Sequence, residues 1–515
     1  RDQVASLRFA GVCAAALHAH TTPQEQATLR EDLRTGDLRL LLVAPERLLT
    51  PSFLAWIGRQ RIGAFAIDEA HCISQWGHDF RPEYRRLAEL RSLFAGVPIC
   101  AYTATATPRV REDIVAQLGL VNPVVMVGTF DRPNLTYRVL PRVNLVEQVA
   151  EAIGRHRDQA SIVYCISRKD TEALATTLAA RGFNARAYHA GLNAKTRSTL
   201  SADFRSERLN VICATVAFGM GIDKSDVRLV VHHAMPGSIE AYYQEAGRAG
   251  RDGKPSTCVL LHAYPDRFTH EFFIEQAHPD RALIEQLWTL LRAESDKAGF
   301  VELTLDDIAA RLPPKAGDRK AGAAMRALVA AGALTIEPAP AGRVWVRLLA
   351  APARITRELT GDRQYDRDVL RTLWRAVGKR LELGASIDLR GLPSGFGGWM
   401  GIVPVLERLE SQQFVSWAKT GSGFRLAARC RDAKWLPVDW TALERRRRSD
   451  VGRLEAMQRY AQTRACRRAF VLRYFGDPEV RPQCDACDRC LGTTEVAPPR
   501  ASSRPTHLRS RPRSR

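Results

Sequence analysis

Residues 64–84 read Ala64-Phe65-Ala66-Ile67-Asp68-Glu69-Ala70-His71-Cys72-Ile73-Ser74-Gln75-Trp76-Gly77-His78-Asp79-Phe80-Arg81-Pro82-Glu83-Tyr84. The first four are apolar; the next four carry two carboxylates and an imidazole. A short buried strand ending in adjacent acids places them at the carboxyl edge of a sheet, where α/β folds hold ligands. Asp68 there suits Mg²⁺, bound directly or through water. Glu69 suits orienting or deprotonating a water, because phosphoryl transfer needs positioning and charge neutralisation. His71 suits a link to a second domain. The same four residues also suit a plain surface turn. Beyond them Trp76, Phe80 and Tyr84 interleave with Gly77, His78 and Arg81. Aromatics beside a basic residue stack on single-stranded bases, or they anchor a loop internally; composition does not separate the two.

The rhythm extends outward. Residues 40–44, 64–67 and 99–103 read as buried parallel strands, with a helix over 108–118. Strands at 161–165, 185–188, 211–214 and 229–233 repeat it. Such alternation predicts two α/β domains, 1–128 and 129–270, each with a mainly parallel sheet. A helical connector follows over 271–295. Helix patterns at 305–312 and 319–332, then two strands at 334–349 around Pro338-Ala339-Pro340-Ala341-Gly342, give the order helix, helix, hairpin of a winged helix. It recurs more loosely at 368–381, 402–412 and strands around Lys419-Thr420-Gly421-Ser422-Gly423. The expectation is a tandem winged-helix-like region over 296–430. Its recognition helix at 319–332 and a wing near Arg343 and Trp345 would touch duplex DNA, or serve packing only. Residues 441–475 read as helical, with basic run Arg445 to Arg448. The Arg-, Ser- and Pro-rich tail from 493 to 515 is expected to be disordered.

Two further segments sit at strand ends. The hydroxyls of Tyr102-Thr103-Ala104-Thr105-Ala106 suit a relay between domains or a helix cap before Pro108. In the second domain, Gly219 and Gly221 of residues 214–223 permit close backbone approach. Tyr242-Tyr243-Gln244-Glu245-Ala246-Gly247-Arg248-Ala249-Gly250-Arg251-Asp252-Gly253 follows. Arg248 and Arg251, three apart, would share a helix face. They could reach a γ-phosphate across a cleft, or form a solvated basic face.

The chain has 515 residues, 45% hydrophobic and 26% charged, which excludes a disordered or collagenous polymer. Lys+Arg number 76 against 56 Asp+Glu, a formal net charge of +20. That excess points to a polyanion such as nucleic acid. Ten of the basic residues are lysine and 66 arginine, a bias that codon usage also produces. Of 11 cysteines, seven lie singly and four gather as Cys466-x₁₇-Cys484-x₂-Cys487-x₂-Cys490. This usage reads as a reducing compartment with one metal site rather than a disulfide framework. Four thiolates at C-x₂-C spacing suit a structural, tetrahedral Zn²⁺. Its net −2 charge could be offset by Arg467, Arg468 and Arg489. A loose thiol cluster is the alternative. There is no apolar run of 18 residues, so no membrane span is expected, and no signal peptide is recognisable. The chain begins with Arg1 inside a helix pattern rather than with Met, so a missing start is expected.

Taken together, these segments resemble the RecQ family of DNA helicases. Ala44-Pro45-Glu46-Arg47, the Asp68-Glu69-Ala70-His71 box with its aromatic-rich loop, Thr103-Ala104-Thr105, Tyr188-His189-Ala190-Gly191-Leu192, 214–223 and 244–253 follow that family's order and spacing. The aromatic-rich loop is the most specific of them. Cys466-Arg467-Arg468-Ala469-Phe470 and Tyr474-Phe475-Gly476 resemble its zinc-binding element. The resemblance covers about 1–270 and again about 460–492. It implies two RecA-like parallel-sheet domains, then winged-helix-like units and a small helical zinc-binding element over 431–492. It implies ATP, Mg²⁺ and Zn²⁺ as cofactors, and single-stranded and partly duplex DNA as partners. Asp68 and Glu69 would be the Mg²⁺ and water-activating carboxylates, with His71 beside them. Trp76, Phe80 and Arg81 would couple single-stranded DNA to hydrolysis. Gln244, Arg248 and Arg251 would form the sixth helicase motif, with the arginines on phosphate. Gly221 and Asp223 would lie near the nucleotide, and His189 and Thr215 near the DNA backbone.

Two departures qualify this. No G-x-x-x-x-G-K-[ST] occurs in the chain, and such a loop cradles the ATP phosphates. The chain as printed is therefore expected to bind ATP poorly. The family also places its zinc element directly after the helicase core; here the winged-helix-like region comes first. The expected activity is 3′→5′ ATP-dependent DNA unwinding in repair or recombination, in a bacterial cytoplasm and associated with the nucleoid. The rival is a DNA-binding protein without ATPase activity. A general RNA helicase fits less well, because the aromatic-rich loop and the four cysteines both argue for DNA.

Overall fold

In the computed structural model the described residues are 2–17, 21, 23–219, 224–296, 298–301, 303, 305–313, 317–338, 342–392, 394–396, 398–419, 422–430 and 432–492. The expectations placed on Gly221, Asp223, the turn residues 339–341 and 420–421, and the tail 493–515 fall outside them. The chain forms two compact units: 1–271 with 448–515, and 272–447.

The first unit opens with two parallel strand pairs, β1 (Ala14–Leu17) with β2 (Leu40–Val43) and β3 (Phe65–Ile67) with β4 (Ile99–Ala101). Helix Pro108–Gln117 follows and buries Val110 and Ile114. The second sheet has six parallel strands: β5 (Leu135–Pro141), β6 (Ser161–Tyr164), β7 (Ala185–Tyr188), β8 (Val211–Ala214), β9 (Leu229–His232) and β10 (Ser256–His262). Their spatial order is β5-β10-β9-β6-β8-β7. β6, β8 and β9 are buried throughout, which explains their uninterrupted apolar runs. β5 alternates instead, burying Leu135, Tyr137 and Val139 with half-buried residues between. It lies at the sheet edge. Neither β5 nor β10 was legible as a strand in the sequence pattern. The helical stretch at 441–475 is two helices, Trp440–Gln462 and Arg467–Phe475, with Cys466 capping the second. Among the described residues no helix is long and apolar enough to cross a membrane.

The second unit holds the expected elements with unexpected pairing. Its helices include Leu305–Arg311, Gly317–Ala330, Gln364–Val377 and Gly398–Ser411. Its strands are β11 (Phe300–Val301), β12 (Leu334–Pro338), β13 (Arg343–Leu348), β14 (Ala385–Asp388), β15 (Val415–Lys419) and β16 (Ser422–Leu426). Two local hairpins would pair β12 with β13 and β15 with β16. Instead β12 pairs with β16, from Leu334↔Leu426 to Pro338↔Ser422. β13 pairs with β15, from Val344↔Lys419 to Leu348↔Val415. The second helix-and-sheet body is thus inserted into the wing of the first, and the arrangement is nested rather than tandem. Each body keeps its own core. One is built around Leu287, Trp288, Ile308 and Leu328, the other around Val346, Leu373, Leu406 and Phe414.

Nesting also relocates the expected wing residues. Arg343 is not at a free wing tip; it lies 3.3 Å from Asp296 and 3.7 Å from Asp388. Trp345 packs over Gly384, whose φ of +101° and lack of a side chain admit the indole.

Candidate active site and metal centre

β3 ends at Ile67, and the next two residues are the paired carboxylates. Asp68 is exposed, and its Oδ1 accepts from the Glu69 amide at 2.8 Å. Glu69 adopts a left-handed conformation, φ 50° and ψ 40°. Strained non-glycine backbone of this kind persists where the surroundings over-determine it. Here the Ala70 amide donates to the Tyr102 carbonyl at 2.9 Å, and the Tyr102 amide to Ile67 at 2.8 Å. The turn is thereby fastened to the end of β4.

Glu69 Oε2 lies 3.2 Å from Nδ1 of the buried His71. That imidazole holds the Glu69 carboxyl below the usual carboxylate range. Thr103 Oγ1 is 3.1 Å from the same nitrogen. The His71 ring stacks on His78, centroids 4.4 Å apart and planes 11° apart. Burial, with the charges of His71 and Arg453, pushes His78 down to about 4. A neutral ring can stack this closely without repulsion. Gly77 between them admits no side chain, since one would collide with the His71 carbonyl.

The aromatic-rich loop is tied at several points. The Trp76 amide donates to Ser74 Oγ at 3.1 Å, and Ser74 Oγ to Asp113 at 2.6 Å. The Arg109 guanidinium lies 3.2 Å from the Trp76 ring centroid, and Arg85 sits 5.3 Å over Phe80. Arg81 donates twice to Asp79, at 2.6 and 3.1 Å. Trp76 and Phe80 are half-buried, so each is anchored and yet keeps an accessible edge.

Across the first unit, Gln244 Nε2 donates to Thr105 Oγ1 at 3.0 Å, joining the two α/β halves. The shared helix face expected for Arg248 and Arg251 is not found. Helix Ile239–Ala246 ends before both. Gly247 and Gly250 start a turn too tight for any Cβ. Arg132 holds that turn by donating to the carbonyls of Gly247, Ala249 and Gly250. Arg248 stands against Gly219, and its Nε is buried without a hydrogen bond in the present state. His189 is buried and bonded to Glu172 at 2.8 Å, whereas Thr215 begins an exposed strand-end loop with Val216.

The four cysteine sulfurs all lie within 4.8 Å of one another. Cys466–Cys487 is 3.9 Å and Cys484–Cys490 is 4.0 Å. Tetrahedral Zn²⁺ with Zn–S near 2.3 Å needs sulfurs about 3.8 Å apart, so the donor set fits zinc. The charge offset differs from expectation for Arg467 and Arg468, while Arg489 lies near enough to feel the Cys487 charge. Arg467 is fully buried, but its guanidinium faces Asp488 at 3.0 Å rather than the thiolates. Arg468 donates to the carbonyls of Pro133 and Leu135. Backbone amides serve the sulfurs instead: Arg467 to Cys487 at 3.4 Å, Ala469 to Cys466 at 3.5 Å and Cys484 to Cys490 at 3.4 Å. Asp488 also accepts from the Val139 amide at 3.0 Å, fastening the element to edge strand β5.

The RecQ zinc-binding family model matches residues 429–491, which contain these four cysteines. The DEAD/DEAH box helicase model matches 2–114, and the helicase conserved C-terminal domain model 144–253. These segments are the helicase domains and the zinc-binding element of RecQ-type helicases. It is 43% identical over 288 residues to the ATP-dependent DNA helicase RecQ of Pasteurella multocida, covering 56% of this chain and 46% of that protein. The Haemophilus influenzae protein of the same name is 42% identical over 287 residues, with the same coverage. The ATP-dependent DNA helicase Q-like 4B of Arabidopsis thaliana is 43% identical over 285 residues, 54% of this chain and 25% of that protein. The RecQ-type chain thus spans a little under half the length of its bacterial relatives. Its nested second unit falls between the C-terminal helicase match and most of the zinc-binding match.

Proposed function

We propose that this RecQ-type chain is the motor of an ATP-dependent DNA helicase, coupling Mg-ATP hydrolysis to 3′→5′ movement on single-stranded DNA and to duplex unwinding. One observation carries the reading: Glu69, His71 and His78 form a contiguous path from the carboxylate pair into the aromatic-rich loop. A strand engaged at that loop thereby acts on the residue that orients water. Residues 1–128 and 129–270 are the two motor domains in this reading. Residues 296–430 are the nested winged-helix region and 431–492 the zinc-binding element.

Asp68 would hold Mg²⁺, and the metal would supply charge neutralisation at the transferring group. Glu69 orients the attacking water, with His71 fixing its carboxylate. Arg248 and Arg251 leave their turn to meet the γ-phosphate; the unbonded Arg248 Nε supports that role. Gln244 reports closure to Thr105. Gly221 and Asp223 lie near the nucleotide by resemblance. Trp76, Phe80 and Arg81 meet the bases, and Thr215 the DNA backbone, with His189 holding that second segment in place. Zn²⁺ is structural. The relatives named RecQ from Pasteurella and Haemophilus support a bacterial enzyme that works at the nucleoid in repair or recombination.

The test is ATPase activity with and without oligo-dT, on the chain as printed and on the full-length product of its gene. Hydrolysis stimulated by DNA supports the reading. DNA binding with no hydrolysis in either version overturns it in favour of a DNA-binding protein.

A further inference from the structure

We infer that Arg453 is a positioning residue for the aromatic-rich loop, tethering its backbone at Trp76 to the helix that leads into the zinc-binding element. The inference rests on the reading of that loop as the place where DNA engages.

Arg453 lies in the middle of helix Trp440–Gln462, with its side chain 13% exposed. Nη1 donates to the Trp76 carbonyl at 3.0 Å and to Ser449 Oγ at 3.0 Å. Nη2 meets the Asp450 carboxylate, one turn back on the same helix. The guanidinium is thus aimed from its own helix at a main-chain carbonyl. Such a contact reads the position of the loop, whatever side chain residue 76 carries.

The other side of the loop is held independently. Ser74 and Trp76 are bound through Asp113 and Arg109, both on helix Pro108–Gln117. That helix also contacts the zinc side, because Arg111 donates to the Phe475 carbonyl at 3.0 Å. The loop therefore sits between two grips, one from the first α/β domain and one from Arg453. His78, two residues beyond Trp76, stacks on His71, which fixes Glu69. Movement of the Trp76 carbonyl is then movement of the histidine pair. DNA seating on Trp76 and Phe80 must work with or against this tether. Arg453 accordingly sets how much DNA is needed to activate hydrolysis, without touching nucleotide.

The experiment compares wild type, Arg453→Ala and Arg453→Lys in the full-length product of the gene. ATPase is titrated with oligo-dT, zinc content is measured, and oligo-dT binding is followed by fluorescence anisotropy. A charged hydrogen bond of this kind contributes about a tenfold effect or more. R453A is expected to raise the half-activating DNA concentration about tenfold, while the rates without DNA and at saturating DNA change less than about threefold. R453K keeps charge and one donor and is expected to recover most of the shift. An R453K that shifts as fully as R453A, with zinc retained, also supports the tether and assigns it to the forked guanidinium. An unchanged half-activation in R453A overturns the inference. So does loss of zinc or of folded protein in both variants, which would make Arg453 a stability residue. If wild-type hydrolysis ignores DNA, the helicase reading fails instead. Anisotropy on the printed chain then decides for Arg453: weaker oligo-dT binding in R453A sustains the tether, and unchanged binding removes it.

Discussion

Gln244 and Thr105 stand 139 residues apart in the chain, yet the amide of one donates to the hydroxyl of the other at 3.0 Å. Thr105 is only 2% exposed, so its hydroxyl has little water to turn to. Replacing it by valine leaves the Gln244 amide without this acceptor, at about 1–3 kcal/mol. Thr105→Val is expected to lower DNA-stimulated ATPase turnover about tenfold or more. Oligo-dT affinity should change little. Steady-state kinetics checks the first and anisotropy the second; equal losses in both would remove the relay role.

The buried Arg467–Asp488 pair joins the zinc element to β5. Removing one partner leaves the other charge buried and uncompensated, a loss of about 3–5 kcal/mol. Asp488→Ala also strands the Val139 amide. The expected result is earlier thermal unfolding and release of zinc to a colorimetric chelator at temperatures where wild type retains it. Cys487→Ser should release zinc too, by removing a ligand directly.

His78 has an ordinary value of 6.5 and is pushed down to about 4, mainly by burial. A depressed folded value means full stabilisation above pH 6.5, lost as pH falls toward 4. The full effect is on the order of 3 kcal/mol. His78→Phe should flatten the fall in denaturation midpoint between pH 6.5 and 4.5. Urea titrations at both pH values, wild type against variant, make the comparison; parallel falls would exclude His78 as the source.

Nesting makes the inner body removable. Pro338 and Ser422 are paired across β12 and β16, so residues 339–421 can be replaced by Asn-Gly, the preferred two-residue hairpin turn. The shortened chain is expected to keep the outer body folded. Hydrogen exchange should show Leu334–Pro338 and Ser422–Leu426 still protected. Loss of that protection would mean the two bodies fold only together.

Much of this was legible because physical pattern and element coincide. β7 and β8 fall at the residues read as strands, and the four clustered cysteines are the ones whose sulfurs the fold brings together. Pairing was less legible. A short turn between two strands looks the same whether they pair with each other or with strands 80 residues distant, so β12 and β13 read as a hairpin. The helix expected under Arg248 and Arg251 failed for a local reason, since Gly247 and Gly250 favour a tight turn that periodicity ignores. His78, Arg132 and Arg453 were not singled out. His78 stacks on a ring only seven residues away, but the partners of Arg132 and Arg453 lie distant along the chain, and a basic residue among 66 arginines carries little information by itself.

The link between Val139 and Asp488 spans 349 residues. A ribosome adding about 5–20 residues per second takes roughly 20–70 s to deliver the second after the first. Throughout that interval β5, an edge strand, has an amide waiting for its acceptor, and exposed edges recruit other strands. β12 waits in the same way for β16, while the inner body between them is made. The order of manufacture is therefore inside-out. The inner body can close as soon as it emerges, the outer body follows, and the zinc clasp arrives last to seal the oldest edge.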